Sequence, residues 1–264
     1  MRILVCYKTA YDTEYITPDE LEALRDGALD LTYFKKIIAQ YDEAALEAAL
    51  RLKEQALAGG EAVFLCALTV GVHEAPFAQD LYALGFDEVA LVKTQQQPGC
   101  APEEVARQAA AFFARGGGFD VVLTGRQAPP GESGQVPFLL AEMLGVPCLP
   151  NVYDVHYAPG GLRAELLDGG GAMRLGVQGP AVCAMGDAKH PYLRVATLRE
   201  KLAARGKEAV AIEETPSENR MPVFERERYV YEKPQKHGRM LPGETAREKA
   251  EALWQTSIAE WVVE

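Results

Sequence analysis

Short runs of continuous apolar residues alternate with amphipathic runs through the first half of the chain. Ile3-Leu4-Val5-Cys6-Tyr7 opens the series as a β-rich run. Between Tyr41 and Ala56, Ala44, Ala45, Ala48, Ala49 and Leu52 share one helical stripe, Glu43, Glu47, Arg51 and Glu54 fall elsewhere, and Gly59-Gly60 ends the pattern. Residues 62–68 read as a second buried strand, residues 76–84 as a short helix closed by Gly85, and residues 88–92 as a third strand. Pro102-Glu103-Glu104 opens a helix with a proline in the first turn and acids that complement the positive end of its dipole. That helix carries Val105, Ala109, Phe112 and Phe113 and stops at Gly116-Gly117-Gly118. Residues 120–124 form a fourth strand and residues 136–144 the next helix, ended by Gly145. Strands apolar throughout are buried on both faces, so the pattern predicts an α/β fold: an open parallel sheet with helices on both faces.

The pattern changes after Pro147. Residues 152–157 alternate, residues 162–167 follow the turn Pro159-Gly160-Gly161, and residues 173–177 follow Asp168-Gly169-Gly170-Gly171. These predict an antiparallel extension. Residues 180–185 form another buried run, and residues 193–204 read as helical. From Glu213 onward the chain is polar and punctuated by Pro216, Pro222, Pro234 and Pro242. A last helix starts at Gly243-Glu244-Thr245, where Thr245 and Glu248 have the spacing of a capping box. Leu253, Trp254, Ile258 and Trp261 give it an apolar face, so this arm packs either on its own domain or on a partner.

Composition narrows the function classes. The 264 residues suit one large α/β domain, or one domain with an arm. A formal net charge of −11 repels phosphate backbones and argues against nucleic acid, while leaving room for a single nucleotide held by local backbone N–H groups. The apolar run before Tyr7-Lys8 is too short for a signal segment, and no stretch is long enough to insert in a membrane, so the expected location is cytoplasmic. Cys6, Cys66, Cys100, Cys148 and Cys183 are widely spread and read as reduced thiols. His73, His156, His190 and His237 sit alone, with no zinc spacing, no nucleophile elbow and no P-loop. A nucleotide-type fold without a catalytic set suits a carrier or a scaffold rather than a stand-alone enzyme.

The candidate chemistry lies between the fourth strand and its helix, in Gly125-Arg126-Gln127-Ala128-Pro129-Pro130-Gly131-Glu132-Ser133-Gly134-Gln135. Open parallel sheets bind ligands beyond the carboxyl ends of their strands. Gly131 and Gly134 allow close backbone approach, Ser133 and the start of the next helix can hold a phosphate, and Arg126 can fork onto one. The first strand, ending at Cys6-Tyr7-Lys8, and the second, ending at Leu68-Thr69-Val70-Gly71, reach the same sheet edge. A plain glycine-proline surface loop is the competing reading.

The segment from Asp120 through Gly125-Arg126-Gln127-Ala128 to Gly131 and Gln135 resembles the "GRQA…Q" or "GKQA…Q" segment of electron-transfer flavoprotein β subunits. Five further segments agree in order: residues 2–8 resemble the opening strand and its lysine, residues 42–54 the "EEALxLKE" helix, residues 84–89 the "MGADEA" turn, residues 194–198 the "RYATL" segment, and the stretch from Gly243 the "GETPEEKA" tail. The resemblance covers nearly the whole chain.

What it implies is an adenine-nucleotide-hydrolase-like domain over residues 1–212 and an arm over residues 213–264 whose helix packs on a larger α subunit. That α subunit carries the redox FAD. This chain would hold AMP or, as in electron-bifurcating members, a second FAD. The implied contacts are Cys6, Ala39, Gln40, Tyr41, Asp42, Thr69, and Gly125 through Val136, including Glu132, while Tyr11, Asp12 and Thr13 approach the flavin. The heterodimer would take electrons from a flavin dehydrogenase, such as acyl-CoA dehydrogenase, or from NADH. Ala39-Gln40 stand where the family has Asn-Pro, Pro129-Pro130-Gly131-Glu132 where it has aspartates, no acid follows Asp168-Gly169-Gly170, and residues 187–193 replace the "LNEPRY" segment that docks the dehydrogenase. AMP and FAD therefore both stay open, the arginine form of the loop leaning toward FAD. The alternative is a universal-stress-type nucleotide-binding regulator without flavin.

Overall fold

A computed structural model describes residues 1–12, 16–17, 34–71, 75, 77–94, 101–129, 131–168, 171–216 and 240–259. Thr13, His73, Pro76, Cys100, Pro130, Gly169, Gly170, Pro222, Pro234, His237 and Trp261 lie outside these described residues. The chain divides into two compact units, residues 1–15 with 30–223 and residues 16–29 with 224–264.

The larger unit is built on β1 (Arg2–Cys6), β2 (Thr9–Tyr11), β3 (Lys36–Ile38), α1 (Gln40–Ala58), β4 (Phe64–Gly71), α2 (Ala78–Leu84), β5 (Glu88–Lys93), α3 (Pro102–Arg115), β6 (Val121–Gly125), α4 (Val136–Leu144), β7 (Cys148–Ala158), β8 (Gly161–Asp168), β9 (Gly171–Val177), β10 (Val182–Met185), α5 (Leu198–Ala203) and β11 (Val210–Glu213). Nine strands form one sheet in the order β11-β5-β4-β1-β6-β10-β7-β8-β9. Pairing is parallel from β11 to β7 and antiparallel through β8 and β9. The pleat explains why β1 is apolar from Ile3 to Cys6. Ile3 and Val5 face a core shared with α1 and α2, whereas Leu4 faces one shared with α3 and α4. The α/β class, the helices on both faces and the antiparallel extension expected from the sequence are all present.

Three features differ from the sequence reading. The expected helix over residues 193–204 starts only at Leu198, because Thr197 and Glu200 form a capping box there and leave residues 193–197 outside the helix. Glu47, placed by periodicity away from the apolar stripe, is buried. The short strands β2, β3 and β11 carry no periodic signal and exist through pairing, β2 with β3 and β11 with β5. Beyond β11, Gln108 on α3 exchanges two hydrogen bonds with the backbone of Thr215. In the smaller unit, α6 (Ala246–Leu253) begins with the expected capping box of Thr245 and Glu248, and a single π-helical turn, Trp254–Ile258, follows.

Candidate functional site

Chain order and sheet order disagree at β1. From β1 the chain crosses to β4 and then β5 on one side, and returns to β6 on the other. Such a reversal leaves a crevice at the carboxyl ends of the strands. A cavity of about 250 Å³ occupies that place. Its walls come from the ends of β1, β4 and β6, the β2–β3 ribbon, the first turns of α3 and the loop before α4.

The first turn of α1 ties these strand ends together. Asp42 is 5% exposed; its Oδ2 accepts from Lys8 N at 2.8 Å and its Oδ1 from Gly125 N at 2.8 Å. One carboxylate therefore satisfies the backbone just past β1 and at the end of β6. Burial outweighs those hydrogen bonds and pushes the Asp42 carboxyl up to about 7. A side chain at Gly125 would place its Cβ 2.4 Å from Asp42 Oδ1 and 2.8 Å from Tyr41 Cβ, so glycine is required here by close approach.

The loop before α4 turns through left-handed backbone at Gly131 (φ 93°), Glu132 (φ 40°) and Gly134 (φ 65°). A non-glycine residue in that region costs roughly 1–2 kcal/mol, and such strain concentrates at binding sites. Ser133 Oγ accepts from Gln135 N at 3.4 Å, and Gln135 is the N-cap of α4.

Arg126 does not extend alone into the cavity it lines. Its Nη2 donates to Tyr41 Oη at 2.6 Å, its guanidinium lies 4.5 Å from the Tyr41 ring centroid, and its Nη1 sits 3.7 Å from Asp187 Oδ2. Its Nε is buried with no hydrogen-bond partner among the described residues, as are the Tyr7 hydroxyl, Thr9 Oγ1 and Thr124 Oγ1. All four residues line the cavity. Each such group costs about 1–3 kcal/mol if left unsatisfied, so the cavity suits a polar occupant. Lys8 and Lys36 line it too, so three cationic side chains outnumber the two carboxylates there, Asp42 and Glu132, on a chain of net charge −11. That occupant is best anionic as well as polar. Leu91, Pro102 and Val105 give the wall an apolar part.

The sequence-predicted residues fall into two groups. Cys6, Asp42, Thr69, Gly125, Arg126, Gln127, Ala128, Gly131, Glu132, Ser133, Gly134 and Val136 line the cavity. Ala39, Gln40, Tyr41 and Gln135 do not. Ala39 is the N-cap of α1, Gln40 opens the helix, and Tyr41 acts through Arg126. Cys6 offers the cavity a neutral thiol, because burial pushes it up to about 12. The sequence reading missed Thr9, Ala10, Lys36 and the apolar wall. These come together through a ribbon and a helix crossing, and no local spacing marks them.

A second feature lies beyond β10. Residues 187–197 are irregular and bent, and their later part is tied to α1: Leu193 N donates to Glu43, and Arg194 binds Glu47 and Glu54. This stretch and α5 leave Tyr192, Val195, Leu198 and Leu202 60–83% exposed, an apolar patch on a charged protein.

The model of the electron transfer flavoprotein domain matches residues 31–216. The chain is 31% identical over 258 residues to YgcR of Escherichia coli (strain K12), a protein provisionally named an electron transfer flavoprotein subunit, covering 97% of this chain and 96% of that one. It is 30% identical over 226 residues to the electron transfer flavoprotein subunit beta of Syntrophomonas wolfei subsp. wolfei, covering 85% of this chain and 84% of that one.

Proposed function

Because this chain belongs to the electron transfer flavoprotein family, we propose that it is a β subunit whose cavity holds an adenine nucleotide, and that it pairs with an FAD-carrying α subunit to shuttle electrons in the cytoplasm. The observation that carries this reading is the cavity at the chain reversal, where four unsatisfied polar atoms and three cationic side chains meet an apolar wall. The loop from Gly131 to Gly134 and the start of α4 would take the phosphate, with Lys8 and Lys36 neutralising it. Leu91, Pro102 and Val105 would cover the adenine. Asp42 keeps the strand ends in register around both.

The volume supports AMP over a second FAD. A cavity near 250 Å³ lies just below the roughly 300–1,000 Å³ of clefts that enclose drug-sized ligands. AMP then acts as a structural ligand, tying β1, β4 and β6 together. Flavin in the heterodimer supplies the one- and two-electron chemistry; this chain binds, orients and shields. The exposed patch of Tyr192, Val195, Leu198 and Leu202 fits the surface that docks the electron-donating flavin dehydrogenase. No helix of the described residues is long and apolar enough to cross a membrane.

Co-expression with a candidate electron transfer flavoprotein α subunit tests the reading. The expected product is a yellow heterodimer that releases FAD and AMP in equal amounts on denaturation, read by chromatography. Two FAD per heterodimer would reassign the cavity to the second flavin. A colourless homodimer would overturn the reading and leave the regulatory alternative.

A further inference from the structure

We infer that Arg126 is a shared cation: Tyr41 and Asp187 hold its guanidinium here, and an anionic ligand in the cavity takes it over, so that cavity occupancy and the seating of the segment from Asp187 to Arg194 are linked. This rests on the proposed nucleotide cavity and adds a regulatory contact to it.

The backbone of Arg126 is fixed, since its N–H donates to Met185 O at 2.9 Å on the neighbouring strand. Any exchange is therefore a side-chain movement. The side chain is held unevenly. The Tyr41 hydroxyl bond is short, but the Asp187 contact is 3.7 Å long and its carboxylate is 77% exposed. Exposed ion pairs of that kind contribute little. A phosphate in a half-enclosed cavity offers forked, charge-assisted bonds and a use for the buried Nε, which has none now. Exchange from Asp187 to phosphate therefore runs downhill.

Asp187 joins the cavity-lining Arg126 to the segment that carries Tyr192 and Val195. The segment it opens is pinned again at Lys189, whose N–H donates to Tyr153 O at 2.9 Å, and at Leu193 and Arg194 on α1. Release from Arg126 leaves Asp187 only the 3.4 Å bond from the Tyr41 hydroxyl, which loosens the near end of that segment while the far end stays fixed. Linkage is reciprocal: whatever Asp187 gains by holding Arg126, the ligand must overcome. Asp187 thus acts as a mild internal competitor with an anion, and a ligand-filled cavity leaves the turn from Asp187 to Lys189 looser than an empty one does.

The test uses the complete chain with its partner subunit, stripped of nucleotide and titrated calorimetrically with AMP and, separately, with FAD. Asp187→Asn removes the competitor from an exposed position without threatening the fold. It is expected to tighten AMP binding about two- to fivefold, the range one exposed ion pair allows. Arg126→Ala should weaken binding about tenfold, and adding Asp187→Asn to it should change nothing further. Hydrogen exchange over residues 187–193 should rise when AMP is added to the wild type and start high in Asp187→Asn. Unchanged or weaker binding by Asp187→Asn, a shift that persists without Arg126, or exchange indifferent to AMP overturns the linkage. If wild type and variants bind neither nucleotide, the cavity reading and the linkage fall together; if the wild type binds and Asp187→Asn merely equals it, only the linkage falls.

Discussion

Helix α1 meets an arginine twice, and the two meetings are built differently. Midway along, Glu47 is 6% exposed and accepts from Arg194 Nε at 3.0 Å and Nη2 at 2.7 Å, while Glu54 takes Nη1. The Arg194 backbone N–H also donates to Glu47 at 3.2 Å. Hydrogen bonds to Glu47 and then Glu54 push Arg194 further above its ordinary range, so it stays charged. At the first turn, Arg126 has one short bond, one ring and one distant carboxylate, and its Nε has no partner among the described residues. The saturated pair locks an irregular segment to the helix. The unsaturated one leaves a cation at a cavity with bonding capacity to spare, which is what a binding site needs and a structural anchor does not.

Breaking the first turn should have the largest effect. Gly125→Ala forces a Cβ into the backbone of α1 without any relief from its φ, and should cost about 3 kcal/mol or more in urea unfolding. A variant as stable as the wild type would show that the turn has room to retreat. Asp42→Asn probes the same contact through pH. Burial raises the Asp42 carboxyl to about 7, so the native state holds that proton more tightly than the unfolded chain does. Its stabilising contribution is complete below the ordinary carboxylate range near pH 4, falls as pH rises, and is gone above about 7. Between pH 5 and 7 the wild type should lose about 2 kcal/mol relative to Asp42→Asn. Parallel stability curves would mean that the two backbone N–H bonds outweigh burial.

Glu47→Gln tests the saturated end. It leaves Arg194 facing a neutral amide in a half-buried place and should cost about 1.5–2 kcal/mol, with AMP affinity unchanged. A loss of AMP affinity as large as that of Arg126→Ala would erase the distinction between the two ends. This pair also marks where sequence reading stops. The apolar runs of the strands, the span of α4 from Val136 to Leu144 and the Thr245–Glu248 cap all rest on neighbours within a few residues, and local patterns carry them. Glu47 and Arg194 are 147 residues apart. On periodicity alone Glu47 reads as a solvated acid; only the return of the chain after β10 buries it. The cavity was legible in part for the same reason. The Gly125 loop announces itself locally, whereas Lys36 and Val105 reach the cavity through the β2–β3 ribbon and the start of α3.

Lysine substitution at the two arginines separates them most finely. Arg194 uses three nitrogens on two carboxylates, and a single ammonium cannot span both. Arg194→Lys should therefore cost about 1 kcal/mol in the ligand-free protein. Arg126→Lys loses the fork but keeps a cation near the Tyr41 ring, and the Asp187 contact it gives up is exposed, so the cost should be about 0.5 kcal/mol or less. The ranking should reverse with nucleotide present, because only Arg126 has donors left for a phosphate. Urea titrations with and without AMP measure both differences. Equal costs in the absence of ligand would mean that Arg126 is as fully committed to Tyr41 as Arg194 is to Glu47, and the cation at the cavity would then be part of the frame.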